Sequence, residues 1–355
     1  MGSGGTRAAG GPARPTSKDV ARLAGVSHTA VSFVFNGRAE GNLSAATQQR
    51  IRQAAEQLGY RPNAVARGLR RSRTAVIGLV TDHIASSPFA GALLRGAMET
   101  AWDQGHLVLT VDSTGDPAKE NAAVAELLDR RVDGIIYAAM SLRTAHLPEG
   151  LERTTTVLAN CLPADGTHAA VIPAERGRRP GRHPAAPRRG APPDRGGGRP
   201  RRHRHRRTAA RLPRRPARAG LHAPKEWTRR EGGEISAGYR AAVRLLDGVP
   251  AAERPTGIVC YNDRVAAGVL HAAARLGLDV PADLSLVGYD DQEHMAAFLT
   301  PALTTVALPH RAMGERAARL LLDALAAQAA PPAEVVRLEC PVVGRASVAA
   351  PATRS

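Results

Sequence analysis

The sequence predicts an α/β protein: a small all-helical head followed by a body of two doubly wound lobes. Three observations predict this. Its 355 residues are enough for two or three separate cores. Charge is divided along the chain. Residues 1–73 carry twelve Lys and Arg against three acids, and residues 176–218 carry seventeen Arg against one, so the remainder is acidic despite a formal charge of +17. The apolar pattern also changes near residue 74, from helical spacing to short apolar runs between amphipathic stretches.

The head begins with "TSKDVARLAGVSHTAVSFVFNGR". Thr16 or Ser17 caps a helix that sets Val20, Ala21, Leu23 and Ala24 on its inner side. Gly25 stops it where a tight turn between helices favours positive φ. Ser27 caps a second helix, with Val31 and Val34 inward and His28, Thr29 and Ser32 outward. After Ser44, "SAATQQRIRQAAEQLGY" predicts a third helix with Ile51, Ala54, Ala55 and Leu58 at helical spacing. A helix-turn-helix with a polar second helix fits the major groove of B-DNA. The spacing alone describes a three-helix bundle with a solvated face equally well. "GYRPNAVARGLRRSRT" then places Pro62 and Asn63 before a short segment ending in Leu69 and an Arg cluster.

From Thr74 strands and helices alternate. "TAVIGLV" is a buried strand, "FAGALLRGAMETAWDQG" a helix, "HLVLTVD" a strand and "PAKENAAVAELLDRR" a helix; strands "VDGIIYAA", "TTVLAN" and "AAVIP" follow. After residue 220 come helix "EISAGYRAAVRLLDG", strand "TGIVCYND", helix "DRVAAGVLHAAARLG" and strands "LSLVGYDD" and "LTTV". Helix "PHRAMGERAARLLLDALAA" and a strand pair around "VVRLECPVV" close the chain. Such alternation predicts parallel sheets with helices on both faces and a small-molecule cleft at the carboxyl ends of the strands. Two strand ends carry polar groups, Asn262 with Asp263 and Asp290 with Asp291. Asp263 and Asp291 precede helical stretches and read as helix caps.

The motifs "DVARLAGVSHTAVSFVFNG", "LGYRPNAVARGLR", "CYNDRVAAGVL" and "VPADLSLVGYDD…PALTTV" resemble, in content and order, the LacI/GalR family of bacterial transcription repressors. The resemblance covers most of the chain outside 176–218. It implies a helix-turn-helix DNA-binding domain at 16–61, a hinge helix and linker at 62–73, and a two-lobed periplasmic-binding-protein-like effector-binding and dimerisation domain at 74–349. A disordered extension at 1–15 and a tail at 350–355 flank these. It further implies that His28, Thr29 and Ser32 face base edges. Ser27, Asn36, Thr47, Tyr60 and Asn63 would hold phosphates or brace the groups that do, and Thr16 and Ala66 would belong to the same surface. "PNAVARGLR" would become helical only on operator DNA and wedge Leu69 between base pairs in the minor groove. Phe33 stands where many members carry Arg. Gly68 costs the hinge helix about 1 kcal/mol relative to Ala, which suits a helix that forms only on DNA. In the body, the resemblance implies effector contacts from Asn262 and Asp290. Asn160 and Phe89 of "SSPFA" are further candidates, Phe89 either stacking on a sugar or purine ring or packing in the core.

Residues 176–218 depart from all of this. They hold seventeen Arg, eight Pro, six Gly and one Leu, from which no strand or helix with an apolar face can be built. The second lobe's first strand and helix belong here, so disorder is expected of the block as written. Arg, Pro, Gly and Ala without Lys is what GC-rich DNA encodes in almost any frame. With third bases chosen freely and the others fixed, reading "GRRPGRHPAAPRRGAPPDRGGGRP" one base later gives "GGARAATRLLRAAGHRRIAVVDGP". The same shift turns "RTAARLPRRP" into "ARLRGFRAAL", and both outputs resemble the family's missing pieces. The block therefore reads as two compensating frameshifts, near Gly177 and Ala217, in the gene or its sequencing. An evolved Arg-rich DNA- or RNA-binding insert is the competing reading. As written, the chain lacks the effector-contacting Arg of "ARLxGF" and would have a defective effector lobe.

Other classes find little support. Cys161, Cys260 and Cys340 lie far apart without metal spacing, which predicts reduced thiols in a cytoplasmic protein. No apolar run approaches a membrane span, and the N-terminal stretch has no signal-peptide core. No nucleophile motif, phosphate loop or metal constellation occurs, so no catalytic residue, metal or cofactor is assigned and an enzyme is not expected. The pair Asp290–Asp291 is poorly placed for acid/base work, because neighbours on a strand point to opposite sides. A solute-binding protein of a sugar transporter shares the two lobes but needs an export signal and no DNA head. The expectation is a homodimeric repressor on a pseudo-palindromic operator, controlled by a small molecule, a sugar, in the interlobe cleft. "VAAPATRS" has no leucine heptads, favouring a dimer over a tetramer.

Overall fold

The computed structural model describes residues 15–61, 73–84, 91–174, 227, 229 and 231–350. The chain divides into two compact units, Met1–Ala75 and Val76–Ser355. In the first, α1 (Ser17–Ala24), α2 (His28–Phe35) and α3 (Ala45–Gln57) close over buried Val20, Val31 and Ile51. Each helix starts at a side-chain cap, Thr16, Ser27 and Ser44 respectively. Thr16 is the α1 cap, in a reciprocal capping box with Asp19. Gly25 ends α1 at φ 62°, in the left-handed region. Leu23 departs from expectation: it is 50% exposed. Val20, Ala21 and Ala24 set the centre of the buried face, and at about 100° per residue Leu23 falls roughly a quarter-turn outside it.

The second unit holds two sheets. The first runs β2-β1-β3-β4-β5-β9 and is parallel throughout. Its strands are β1 (Val76–Thr81), β2 (Leu107–Asp112), β3 (Gly134–Ala145), β4 (Thr155–Pro163), β5 (Ala169–Pro173) and β9 (Val335–Leu338). Alternate residues feed two cores, as a pleat requires. Ile136 and Ala138 of β3 meet α4 (Gly91–Asp103) and α8 (His310–Ala327), whereas Ile135 and Tyr137 meet α5 (Pro117–Asp129). Helices α4 and α8 touch backbone to backbone, because a Cβ on Gly96 would fall on the Arg311 carbonyl and one on Gly314 on the Leu93 carbonyl.

The second sheet runs β10-β8-β7-β6, from β6 (Gly257–Val259), β7 (Ser285–Asp290), β8 (Thr304–Ala307) and β10 (Val342–Val343). Helices α6 (Ile235–Leu246) and α7 (Asp263–Arg275) pack over Leu284, Leu286 and Leu303. One sequence expectation fails here, and another is met only in part. The strands of "VVRLECPVV" do not pair with each other: β9 joins β5 in the first sheet and β10 joins β8 in the second. Apolar alternation marks a strand but not its partner, and these two are separated by a crossing between lobes. The strand expected in "TGIVCYND" is only three residues long.

Candidate nucleic-acid interface and effector cleft

In the head, the side chains at the start of α2 are held by short local contacts. Ser27 Oγ accepts from the Ala30 amide at 3.2 Å. That cap leaves His28 and Thr29 exposed on the first turn. The Nε2 of His28 lies 2.8 Å from Ser17 Oγ, across the turn on α1. A hydroxyl both donates and accepts, so Ser17 fixes the ring plane whichever nitrogen carries the proton. Asn36 Nδ2 donates to the Ser32 carbonyl at 2.7 Å and to Ser32 Oγ at 2.9 Å, tying the end of α2 to its own middle turn. Thr47 Oγ1 sits 2.9 Å from Ser44 Oγ at the start of α3. The Tyr60 ring packs edge-on against Phe35, 5.6 Å between centroids and 66° between planes. Thr16 donates its backbone N–H and its hydroxyl to Asp19 at 2.9 and 2.6 Å, and these bonds hold the Asp19 carboxyl below its usual range. Asn63, Ala66 and Leu69 lie outside the described residues, as does the rest of the expected hinge up to residue 72. The Ser17–His28 contact escaped sequence reasoning because it spans eleven residues across a turn, where no periodicity reports it.

In the body, strand ends supply the polar groups. Asn160, inside β4 where its ladder with β3 slips, is buried at φ 56°, and its Nδ2 donates to the Ala139 carbonyl at 2.9 Å. Asn262 caps α7: Oδ1 accepts from Val265 N–H at 2.8 Å and Nδ2 donates to the Gly233 carbonyl at 3.0 Å. The cap expected at Asp263 therefore falls one residue earlier. Asp263 is instead fully buried, accepting from Thr305 Oγ1 and Gln292 N–H, both at 2.6 Å. Burial raises its pKa, against the pull of those two bonds. Asp291 caps no described helix and pairs with Arg345 at 2.8 Å. Asp290 ends β7, half-buried, at φ 105°. That strained geometry turns the chain out of the sheet at the strand's carboxyl end. Phe89 lies outside the described residues, as does the Arg-rich block 176–218.

One cluster at the same end of the first sheet was not legible in the sequence. The ladder between β3 and β4 slips between Ala138 and Arg143, and Asp82 just past β1 accepts from the Met140 amide of that irregular stretch at 2.7 Å. Arg143 then reaches Asp82 at 3.4 Å and the Tyr137 hydroxyl at 3.2 Å. Tyr137 donates to buried Glu120 at 3.3 Å. Burial drives the Tyr137 pKa up, outweighing the adjacent guanidinium. Only the bulge brings Arg143 and Asp82 together, and a bulge has no sequence pattern of its own. The Cys161 thiol beside them is pushed up to about 12 by burial and stays protonated. Among the described residues no three His, Cys, Asp or Glu side chains gather as a metal site. No described helix is long and apolar enough to cross a membrane.

A capped three-helix head joined to a two-sheet α/β body with polar strand ends is the build of a ligand-responsive DNA-binding regulator. Residues 16–63 match the model of bacterial regulatory proteins of the lacI family, and residues 192–348 match a periplasmic binding protein-like domain. The chain is 30% identical to the HTH-type transcriptional repressor PurR of Pectobacterium carotovorum subsp. carotovorum (strain PC1) over 352 residues, covering 94% of this chain and 97% of that protein. It is 29% identical to the ribose operon repressor of Escherichia coli (strain K12), covering 86% and 92%. Its fold resembles the Lac repressor dimer solved with operator and the anti-inducer ONPF, at TM-score 0.71 and 21% identity, with 95% and 100% of the two chains covered. The chain belongs to the lacI family of bacterial regulatory proteins. It is a DNA-binding transcriptional repressor with a sensor domain for a small-molecule effector, as the resemblance of its motifs implied.

Proposed function

We propose that the protein represses transcription as a cytoplasmic homodimer on a pseudo-palindromic operator, and that a sugar in the cleft between the two lobes sets its affinity. The observation that carries the DNA side is the exposed pair His28–Thr29 on the first turn of α2, with Ser27 capping beneath it. His28, Thr29 and Ser32 read bases; Ser27, Asn36, Thr47, Tyr60 and Asn63 secure the backbone contacts, with Thr16 and Ala66 on the same surface. Residues 62–73 act as the hinge, folding on DNA with Leu69 in the minor groove. The remaining boundaries are those of the sequence: head 16–61, sensor 74–349.

On the sensor side Asp290 faces the ligand, while the buried amides of Asn160 and Asn262 hold the backbone that shapes the site. Phe89 supplies the stacking face. The two lobes give the effector its lever, since a ligand that prefers one lobe angle shifts the hinge population only by its differential affinity for the two states. Catalysis has no place in this scheme. Dimerisation fits an apolar face on the first lobe: Met98 and Trp102, one turn apart on α4, and Leu107 and Leu109 on the edge strand β2 are all exposed.

The experiment is selection of a binding site from random duplex DNA, followed by a panel of sugars added to the selected complex. A two-fold symmetric site whose affinity changes with one sugar is the expected result. Selection of an asymmetric site, or none, overturns the dimer–operator reading, and silence across the panel overturns the sugar.

A further inference from the structure

His310 is the first residue of α8 and is only 8% exposed, yet neither of its ring nitrogens has a hydrogen-bond partner among the described residues. Its place in the fold follows from the helix that carries it. A Cβ on Gly134, at the amino end of β3, would touch Leu321 in the second half of α8. Helix α8 leads into β9, which runs parallel to β5, so it carries the chain back toward the amino ends of the strands. His310 lies about three turns before Leu321, roughly 16 Å along the axis, which sets it at the carboxyl end of the first sheet. It shares a helix face with buried Met313 and Ala317. Side chains on a helix lean toward its amino end, so the ring of this first residue projects past the start of α8. Asp290 is close by: it pairs with Ala307 in the β7–β8 ladder, and its carbonyl accepts from the Leu308 amide at 3.3 Å. The chain from Ala307 to His310 spans at most about 11 Å.

Burying a polar ring without partners costs stability, and an apolar side chain at this position would avoid that cost. Burial lowers the imidazole pKa to about 4, so at neutral pH the ring offers one donor and one acceptor, the pairing that a hydroxyl satisfies. No side chain caps α8 and no acid stands in its first turn. The arginines near the starts of α4 and α8 and on the irregular stretch of β3 are already engaged, Arg95 with Glu293, Arg311 with Glu99 and Glu315, and Arg143 with Asp82. A phosphate or carboxylate would find no free cation among these three. We propose that His310 is a specificity-determining residue of the sensor, bonding a hydroxyl of the effector, and that the effector is a neutral sugar rather than a sugar phosphate or a sugar acid. The proposal rests on the reading of the interlobe cleft as the effector site.

The test uses the full chain on its selected operator, with glucose, galactose, xylose, ribose, glucose 6-phosphate and glucuronate as probes. One neutral sugar is expected to shift operator affinity, and a monodeoxy form of it to act at least about ten-fold more weakly. In His310→Leu that sugar is expected to weaken by a similar factor and to lose its advantage over the deoxy form, with His310→Gln restoring part of both. Thermal melts without sugar at about pH 7.5 should place His310→Leu no lower than the parent chain, since leucine leaves no polar atom unpaired. A lower melting temperature would give the ring a structural partner and overturn the proposal. A neutral-sugar response that His310→Leu leaves unchanged would overturn it too, while sparing the effector site itself. A response to the charged sugars alone would overturn the neutral ligand. Silence from every probe in the parent chain would overturn the effector reading together with the proposal.

Discussion

His28 is exposed with its Nε2 held by Ser17, so the hydroxyl decides how the imidazole is presented. If His28 reads a base as proposed, Ser17→Ala is expected to lower affinity for the selected operator about five- to ten-fold, the worth of one hydrogen bond, and to relax preference at that base pair. Binding to non-specific DNA at the same salt should not change, because phosphate contacts carry that term. Gel-shift titrations on the two DNAs measure both, and an equal loss on each would show that Ser17 acts on the head's stability instead. His310 is a different case. It opens α8 with both ring nitrogens buried and unpartnered among the described residues, and burial lowers its pKa from 6.5 to about 4. The unfolded chain therefore takes up a proton near pH 6.5 and the folded one does not. The stability from a neutral His310 is complete above pH 6.5 and is lost as pH falls toward 4. At pH 4.5 that loss is roughly 2–3 kcal/mol. Denaturant melts at about pH 7.5 and about pH 4.5 should show His310→Leu losing less between the two than the parent chain. Caps such as Ser27 and Ser44 were legible because a cap is a local event. The exchange of roles between Asn262 and Asp263 was not, since Thr305 lies 42 residues away from the carboxylate it binds.

At the level of elements, the second lobe depends on one close pairing. A Cβ on Gly268 of α7 would land on the Ile235 carbonyl, and one on Gly238 of α6 on the Val265 carbonyl. Gly268→Ala gains about 1 kcal/mol of helix propensity, yet must push apart a pair of helices whose backbones touch. It is expected to destabilise the lobe by about 2 kcal/mol or more and to abolish the effector response, while the head still binds DNA. Thermal melting with and without effector, beside a gel shift, separates these effects. The helices themselves were plain in the sequence from their apolar spacing. Their glycines read only as weak points, because nothing local marks a glycine that exists for its neighbour. Strands β1, β3, β4 and β5 were equally plain as continuous apolar runs, buried on both faces. The destinations of β9 and β10 were hidden, since their partners β5 and β8 lie far earlier in the chain, beyond the reach of any local pattern.

For the whole molecule, the proposed dimer face on α4 and β2 predicts that Trp102→Glu yields a monomer, because the indole is 70% exposed. Sedimentation should then report one protomer. Operator affinity should fall far more than stability, since a lone head gives up the effective concentration of its twin. Division into a head and a two-lobed body followed from composition and periodicity. The threading of the body did not, because α8 and β9 return to the first lobe after the second has been built. That threading bears on how the chain is born. The first lobe waits for α8, which brings Met313, Ala317 and Leu321 to its core, and for β9 at its edge. The second waits for β10 and for Ser347, whose hydroxyl donates to the Leu286 carbonyl and accepts from the Thr304 amide. Neither lobe can be completed while the codons for β9, β10 and Ser347 are still within the ribosome. The head has all its parts after α3 and can fold far earlier. A premature stop late in the gene would thus release a finished DNA-binding head on two open lobes, a product for proteases to clear rather than a weaker repressor.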